Sequence, residues 1–212
     1  MYTGQPNPFA TTLTRARYQR LAPYYDRMLF LSERRFRPWR ARLWSRVKGP
    51  RVLELGVGTG HNLPFYPQGM QITAIDLVPA MLEHARVKAK TLGSGYHLQN
   101  QMVSRLGVEV DLRLGDAQAL DFLRGSFDTV VTACVFCSVP DPVLGVSEVR
   151  RVLRPGGQAL LMEHVRSKQP LMSALMVMDA ANPLVVRVMG ANINRRTVEN
   201  VRKAWSGYHL TL

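Results

Sequence analysis

The chain of 212 residues has room for one domain with a substantial core, and its 46% hydrophobic and 20% charged content excludes a wholly disordered chain or a fibrous repeat. Its net charge of +13 is concentrated in residues 1–50, where eleven Arg or Lys face only Asp26 and Glu33; such a segment suits a polyanion: a membrane surface, nucleic acid or an acidic partner. The only cysteines, Cys134 and Cys137, exclude a disulfide scaffold. With no apolar run of about 18 residues and no export-signal layout, the expected setting is cytoplasmic, peripheral on the inner membrane face at most.

Residues 1–10 carry Gly4, Pro6 and Pro8 and are expected to form a loose tail. Residues 11–50 read as helical, with interruptions expected at Pro23 and Pro38. This basic stretch, 1–50, is read as a cap on the same domain as a core spanning 51–212. From Arg51 strands and helices alternate. RVLELG (51–56), QITAIDL (71–77), VDLRLGD (110–116), FDTVVTACVF (127–136) and GGQALLMEHV (156–165) read as strands. PAMLEHARVKAK (79–90) and PDPVLGVSEVRRVL (140–153) read as helices, the first opening on Pro79. The pattern predicts an α/β fold, a Rossmann-like doubly wound and mostly parallel sheet, with the first strand central and the ligand crevice beside it. Residues 93–108 read as a polar insertion. The stretch 170–191, apolar and rich in methionine, reads either as a core-facing helix pair or as an adaptable lid over a greasy acceptor pocket. A helix containing TVENVRKAW precedes a final YHLTL (208–212).

The strongest chemical signal is Glu54-Leu55-Gly56-Val57-Gly58-Thr59-Gly60 at the end of the first strand. Glycines there permit a tight turn and close approach of backbone N–H groups to a ligand. A plain strand-to-helix turn reads the same way when taken alone. The third glycine comes one position too early for the dinucleotide fingerprint, which argues against a nicotinamide enzyme. Glu54 is placed to attract a cationic amino group. Asp76 closes the second strand, where an acid bonds ribose hydroxyls. Asp116 closes the third and is read either as an acceptor for an adenine amino group or as the N-cap of a helix over AQALDF.

VLELGVGTG, TAIDLVPAMLEHAR, LRLGDAQALDF, GSFDTVVTACVFCSVPDP and EVRRVLRPGGQALLMEHV resemble the successive motifs of class I S-adenosylmethionine-dependent methyltransferases. APYYD (22–26), GVGTG and VPDP are similar to bacterial phosphatidylethanolamine N-methyltransferases. VFCSVPDP, EVRRVLRPGG, EHV and NRRTVENV are similar to alkyl-thiol S-methyltransferases. The resemblance implies S-adenosylmethionine as donor and S-adenosylhomocysteine as product. It implies Glu54, Gly56, Gly58 and Gly60 at the methionine end and Asp76 at the ribose. Asp116 and Ala117 would contact adenine, and Cys134 would lie under the methyl group. Tyr25, Asn62, Leu77 and Met81 complete the implied donor set. That family ends in an antiparallel strand hairpin, of which only YHLTL would remain here.

Methyl transfer from a sulfonium is an in-line displacement that mainly needs positioning and desolvation. The five histidines show no metal-ligand spacing, so a metal-free transfer to nitrogen or sulfur is expected. His164 and Tyr25 are the candidate catalytic residues, each equally readable as structural. Cys137, His164, Asn194 and Arg195 are the candidate acceptor contacts; Asn194 and Arg195 are also readable as caps of the following helix. The expected acceptor is a lipophilic nitrogen compound, most simply a phospholipid amine, with a small thiol or another lipophilic compound as the alternative. A nucleic acid acceptor is disfavoured, because CVFCSVPDP replaces the Asn/Asp-Pro-Pro-aromatic motif of amino-directed nucleic-acid enzymes. A donor-binding module without turnover is the alternative of another class.

Overall fold

The computed structural model describes residues 4–92, 95–96, 108–163 and 196–205, with short pieces at 182–183, 185–187 and 191–192. His164, Asn194, Arg195, the segment YHLTL and most of the stretches 93–108 and 170–191 lie outside the described residues.

Helix α1 runs unbroken from Pro8 to Trp44. It starts inside the expected tail because the Asn7 side chain accepts hydrogen bonds from the N–H groups of Phe9 and Ala10, both 3.1 Å. The interruptions expected at Pro23 and Pro38 do not occur. Each proline removes one helical hydrogen bond, but packing holds the chain on both sides of each. Ala22 is buried against Val78 and Met81, with Tyr18 and Tyr25 packed on the same cluster. Across Pro38, Arg40 donates to both Glu33 carboxylate oxygens at 2.9 and 2.7 Å. Beyond it, Leu43 and Trp44 enter the main core.

The sheet contains β1 (Arg51–Leu55), β2 (Gln71–Asp76), β3 (Gly95–Tyr96), β4 (Glu109–Leu114), β5 (Phe127–Ala133) and β6 (Leu153–Met162). Its order is β3-β4-β2-β1-β5-β6 and every pairing is parallel. β1 is central, as expected. The chain leaves β1 for β2 and β4 on one side, then crosses to β5 and β6 on the other, so the topological switch lies between β1 and β5. Both flanks are covered, and alternate residues of β1 feed opposite layers. Val52 joins Ala74, Leu82 and Val131 under α1 and α2 (Pro79–Thr91). Leu53 and Leu55 join Phe136, Val146 and Val149 on the side of α3 (Pro142–Val152) and α4 (Thr197–Ala204).

Four local readings are corrected. β3 forms a short edge strand inside the expected insertion. β5 stops at Ala133 rather than at 136, because Cys134 turns into the left-handed region at φ 60°. β6 begins directly after α3, three residues early, with a register shift between Phe127 and Thr129. No helix follows Asp116. Arg151 takes the Leu120 and Phe122 carbonyls at 2.7 and 2.6 Å, and Glu148 takes the Leu120 N–H at 2.9 Å. The segment thereby gives its polar backbone to α3 instead of to a helix of its own.

Candidate active site

A cleft of about 760 Å³, counting its solvent-open mouth, lies over the carboxyl ends of β1, β2, β4 and β5. This is the crevice in which open α/β sheets bind ligands. Tyr25, Gly56, Gly58, Asp76, Leu77, Met81, Asp116, Ala117 and Cys134, all expected site residues, line it together.

The glycine turn supplies the floor. Gly56 has φ +64°, and a Cβ there would come within 2.6 Å of the Val135 side chain. Gly58 has φ +57° and open space where a Cβ would sit, so its missing side chain leaves room on the cleft side. The Gly58 N–H donates to Asp76 Oδ2 and the Val78 N–H to Oδ1, both 2.9 Å. Burial raises the Asp76 carboxyl to about 6 against the pull of these N–H groups. The Asp116 carboxylate caps its own turn, accepting from the Gln118 N–H at 2.8 Å.

Glu54, Gly60 and Asn62 do not line the cleft. Glu54 is fully buried beneath the turn, where Asn62 Nδ2 donates to Oε1 at 2.6 Å and the Tyr66 hydroxyl donates to Oε2. Burial raises its carboxyl to about 7. Glu54 therefore braces the turn from below rather than standing open to a cationic amino group. Gly60 packs where a Cβ would meet Leu63 at 2.5 Å and Ala85 at 3.3 Å. Cys137 is buried beside the cleft, its thiol donating to the Cys134 carbonyl at 3.2 Å.

Sequence reasoning missed much of the cover. α1 adds Thr14 and Tyr18 to the cleft wall beside Tyr25. Tyr18 and Tyr25 lie seven residues apart, two helical turns, and meet edge to face with ring centroids 6.2 Å apart. That spacing was legible only to a reading that carried the helix through Pro23. The Tyr18 hydroxyl pairs with Ser138 at 2.5 Å, tying α1 to the turn after β5. Burial drives both phenols well above the ordinary tyrosine range, so both stay neutral.

A polar lattice fastens α1 behind the glycine turn. Arg40 Nη1 donates to Asn62 Oδ1 at 2.8 Å, joining the Glu33–Arg40 pair to Glu54. Asp26 accepts from the Thr59 hydroxyl and from Lys88 Nζ at 3.0 Å, and lies 3.0 Å from His61 Nε2. Burial alone would raise the Asp26 carboxyl, but contacts with His61, Thr59 and Lys88 hold it well below the usual carboxylate range. Among the described residues no three His, Cys, Asp or Glu side chains are placed to hold a metal ion.

A fold with its ligand crevice over a glycine turn, an acid ending the second strand and another just beyond the fourth defines a class of nucleoside-binding α/β proteins. The family model described as "Methyltransferase domain" matches residues 53–161, and the chain belongs to that family. It is 40% identical over 126 residues to a phosphatidylethanolamine N-methyltransferase of Cereibacter sphaeroides, covering 59% of this chain and 56% of that protein. It is 36% identical over 141 residues to a thiol S-methyltransferase of Homo sapiens, covering 63% and 53%. The chain thus spans little more than half the length of these relatives. Among solved structures, a SAM-dependent methyltransferase from Thermotoga maritima shares the fold with a TM-score of 0.63 at 22% identity, covering 89% of this chain and 79% of that one.

Proposed function

We propose that this protein transfers the methyl group of S-adenosylmethionine to the nitrogen of a lipophilic amine, a phospholipid amine such as phosphatidylethanolamine, at an anionic membrane surface. The observation that carries the choice of nitrogen is the charge of the cleft. Among the described residues its lining includes two carboxylates, Asp76 and Asp116, and no Lys, Arg or His. Cys134 reports on that environment: burial, then the nearby Glu163 carboxyl, push its thiol up to about 12. A site that suppresses its own thiolate would also disfavour a thiolate acceptor, whereas it suits the positive charge that moves from sulfur to nitrogen in amine methylation.

The residues fit the donor. Gly58 leaves open space at the cleft floor, and Asp76 and Asp116 stand at the ends of β2 and β4 to accept from ribose and adenine. Bound there, the donor supplies an already activated methyl group. Tyr18 and Tyr25 line the cleft with aromatic rings that help exclude water. Met81, Leu77 and Val135 supply apolar walls.

The outer face of α1 supports the membrane part of the reading. By helical spacing, Phe9, Leu13, Tyr24, Met28, Leu31 and Trp39 fall within an arc of about 120°. All are exposed, Phe9 and Leu31 at 78%. Arg20, Arg27, Arg35 and Arg42 share this arc, while both acids of the helix, Asp26 and Glu33, lie off it and are engaged by Thr59 and Arg40. An acid-free face of arginines and large apolar side chains is complementary to anionic lipid. No described helix is long and apolar enough to cross a membrane.

Methyl-labelled donor, mixed with protein and anionic vesicles containing phosphatidylethanolamine, tests the reading. Label in mono- and dimethylated lipid is the expected result. Label moving only into an added alkyl thiol would favour the activity named for the human relative. Donor binding without label in any acceptor would leave a binding module.

A further inference from the structure

Three carboxyl groups are buried around the cleft, and they differ in how their oxygens are used. Both oxygens of Glu54 and both of Asp76 accept hydrogen bonds. Glu163, directly after β6, accepts at Oε1 from the Thr132 hydroxyl at 3.1 Å, the Val135 N–H at 3.0 Å and the Phe136 N–H at 3.3 Å. Its Oε2 is sealed from solvent and has no hydrogen-bond partner among the described residues. A buried carboxylate oxygen without a partner is unfavourable unless the group is protonated or a cation lies nearby.

The location of this oxygen is informative. Cys134 and Val135 line the cleft, and the Val135 N–H is one of the donors to Glu163. Cys134 is the one described non-glycine residue at positive φ, and its N–H donates to the Met162 carbonyl at 2.7 Å. Glu163, the end of β6 and the left-handed Cys134 therefore form one unit directly under the cleft floor. Burial holds the Glu163 carboxyl up to about 7, against the pull of its N–H and hydroxyl donors, so both protonation states are accessible near neutrality. The titratable group coupled to it is the Cys134 thiol, on which Arg40 and Glu33 of α1 also act.

We propose that Glu163 is a charge-sensing positioning residue for the donor site, ionised while the sulfonium donor is bound and protonated while the neutral thioether product is bound. The inference rests on the donor assignment above and does not depend on the acceptor. In transfer, the methyl carbon–sulfur bond breaks with its electron pair kept by sulfur. The acceptor's lone pair forms the new bond to carbon, and the acceptor loses a proton. Sulfur becomes neutral, Glu163 loses its counter-cation and takes up a proton, and that proton leaves when the next donor binds. Each turnover thus releases one proton, and the charge balance closes. The cycle also favours exchange of product for donor, because the ionised carboxylate attracts only the sulfonium.

Titration calorimetry of the full chain at pH 7, in two buffers of different ionisation enthalpy, tests this. S-adenosylmethionine binding is expected to release about half a proton, and S-adenosylhomocysteine binding to take up about half a proton. Glu163→Gln, which keeps an oxygen for the Val135 and Phe136 N–H groups, should abolish the release. It should also weaken donor affinity about tenfold while leaving product affinity unchanged. Equal proton counts for the two ligands in the unmutated protein would overturn the proposal, and this comparison needs no variant to fold. Release persisting in Glu163→Gln would assign the effect to Asp76 and overturn it as well. Equal weakening of both ligands would show a structural role only. Failure of the unmutated protein to bind S-adenosylmethionine at all would instead refute the donor assignment, and this inference with it.

Discussion

In the turn after β1, Gly56 lies so close to Val135 that a Cβ has no room, and Glu54 beneath it has both oxygens engaged within twelve residues of chain. In α1, which covers that turn, the anchoring contacts reach 22 residues to Asn62, 33 to Thr59 and 120 to Ser138. The turn is held by backbone sterics, by near neighbours around Glu54 and by close packing of Gly56 on the Val135 side chain. The cover is held by long-range polar contacts and a few apolar ones, and its opposite face packs on nothing described. A floor held by close packing and a cover held by long-range polar contacts should fail in different ways when perturbed.

The largest expected effect falls on the cover. Arg40→Met leaves the half-buried Glu33 with only His61, 3.7 Å away, and Asn62 Oδ1 without its Arg40 donor, and should destabilise the fold by about 3–5 kcal/mol in denaturant melts. Glu33→Gln combined with Arg40→Met should recover part of that loss, because no uncompensated charge remains. Full additivity of the two would show that the pair does not act as a unit.

The floor comes next, and its two glycines separate packing from binding. Gly56→Ala combines left-handed strain with a 2.6 Å clash, and should cost about 2–4 kcal/mol of stability. Gly58→Ala meets no atom of the protein, so it should cost only about 1 kcal/mol. Its methyl group enters the space left for the donor, so donor affinity in calorimetry should fall by about tenfold or more. Equal stability losses for the two variants would contradict the packing difference.

The pH dependence runs in two directions. Glu54 and Glu163 are raised to about 7 and Asp76 to about 6. A carboxyl with a raised folded pKa binds its proton more tightly in the folded state, so stability falls as pH rises. The Tm of the free protein should therefore decline between about pH 4.5 and pH 7. Asp26 behaves oppositely. Its depressed pKa contributes stability above the ordinary aspartate range, lost as the solution is made more acidic. A flat Tm across both windows would mean that these carboxyls do not titrate as described.

The smallest stability effect belongs to the outer face of α1. Arg27→Gln, Arg34→Gln and Arg35→Gln should each change stability by less than about 0.5 kcal/mol. Together they should weaken binding to anionic vesicles about 100-fold, at roughly 1 kcal/mol per arginine, without altering donor affinity. Vesicle sedimentation checks the first and calorimetry the second. Unchanged sedimentation would remove the membrane from the reading.

The parallel sheet, its central first strand and the glycine turn with Asp76 and Asp116 were legible in the sequence. Apolar alternation, Gly φ preferences and acids at strand ends are written within a few residues of where they act, so local pattern reveals them. The same logic misplaced what depends on distant partners. Pro23 and Pro38 read as breaks, yet contacts from Val78, Met81 and Glu33 hold one helix through both. Asp116 read either as an adenine acceptor or as a helix cap, and no helix follows it because Arg151 and Glu148 hold the next backbone in a turn. Glu54 read as open to a ligand, yet Asn62 and Tyr66 enclose it. Tyr18 entered the cleft only because α1 lies across it, and Glu163 acquired an unpartnered oxygen only because β6 ends beside the turn after β5. The sequence by itself determined the crevice and its glycine floor. Tertiary structure alone decided what covers that floor and which buried carboxyl can respond to charge, because each depends on groups brought together from far along the chain.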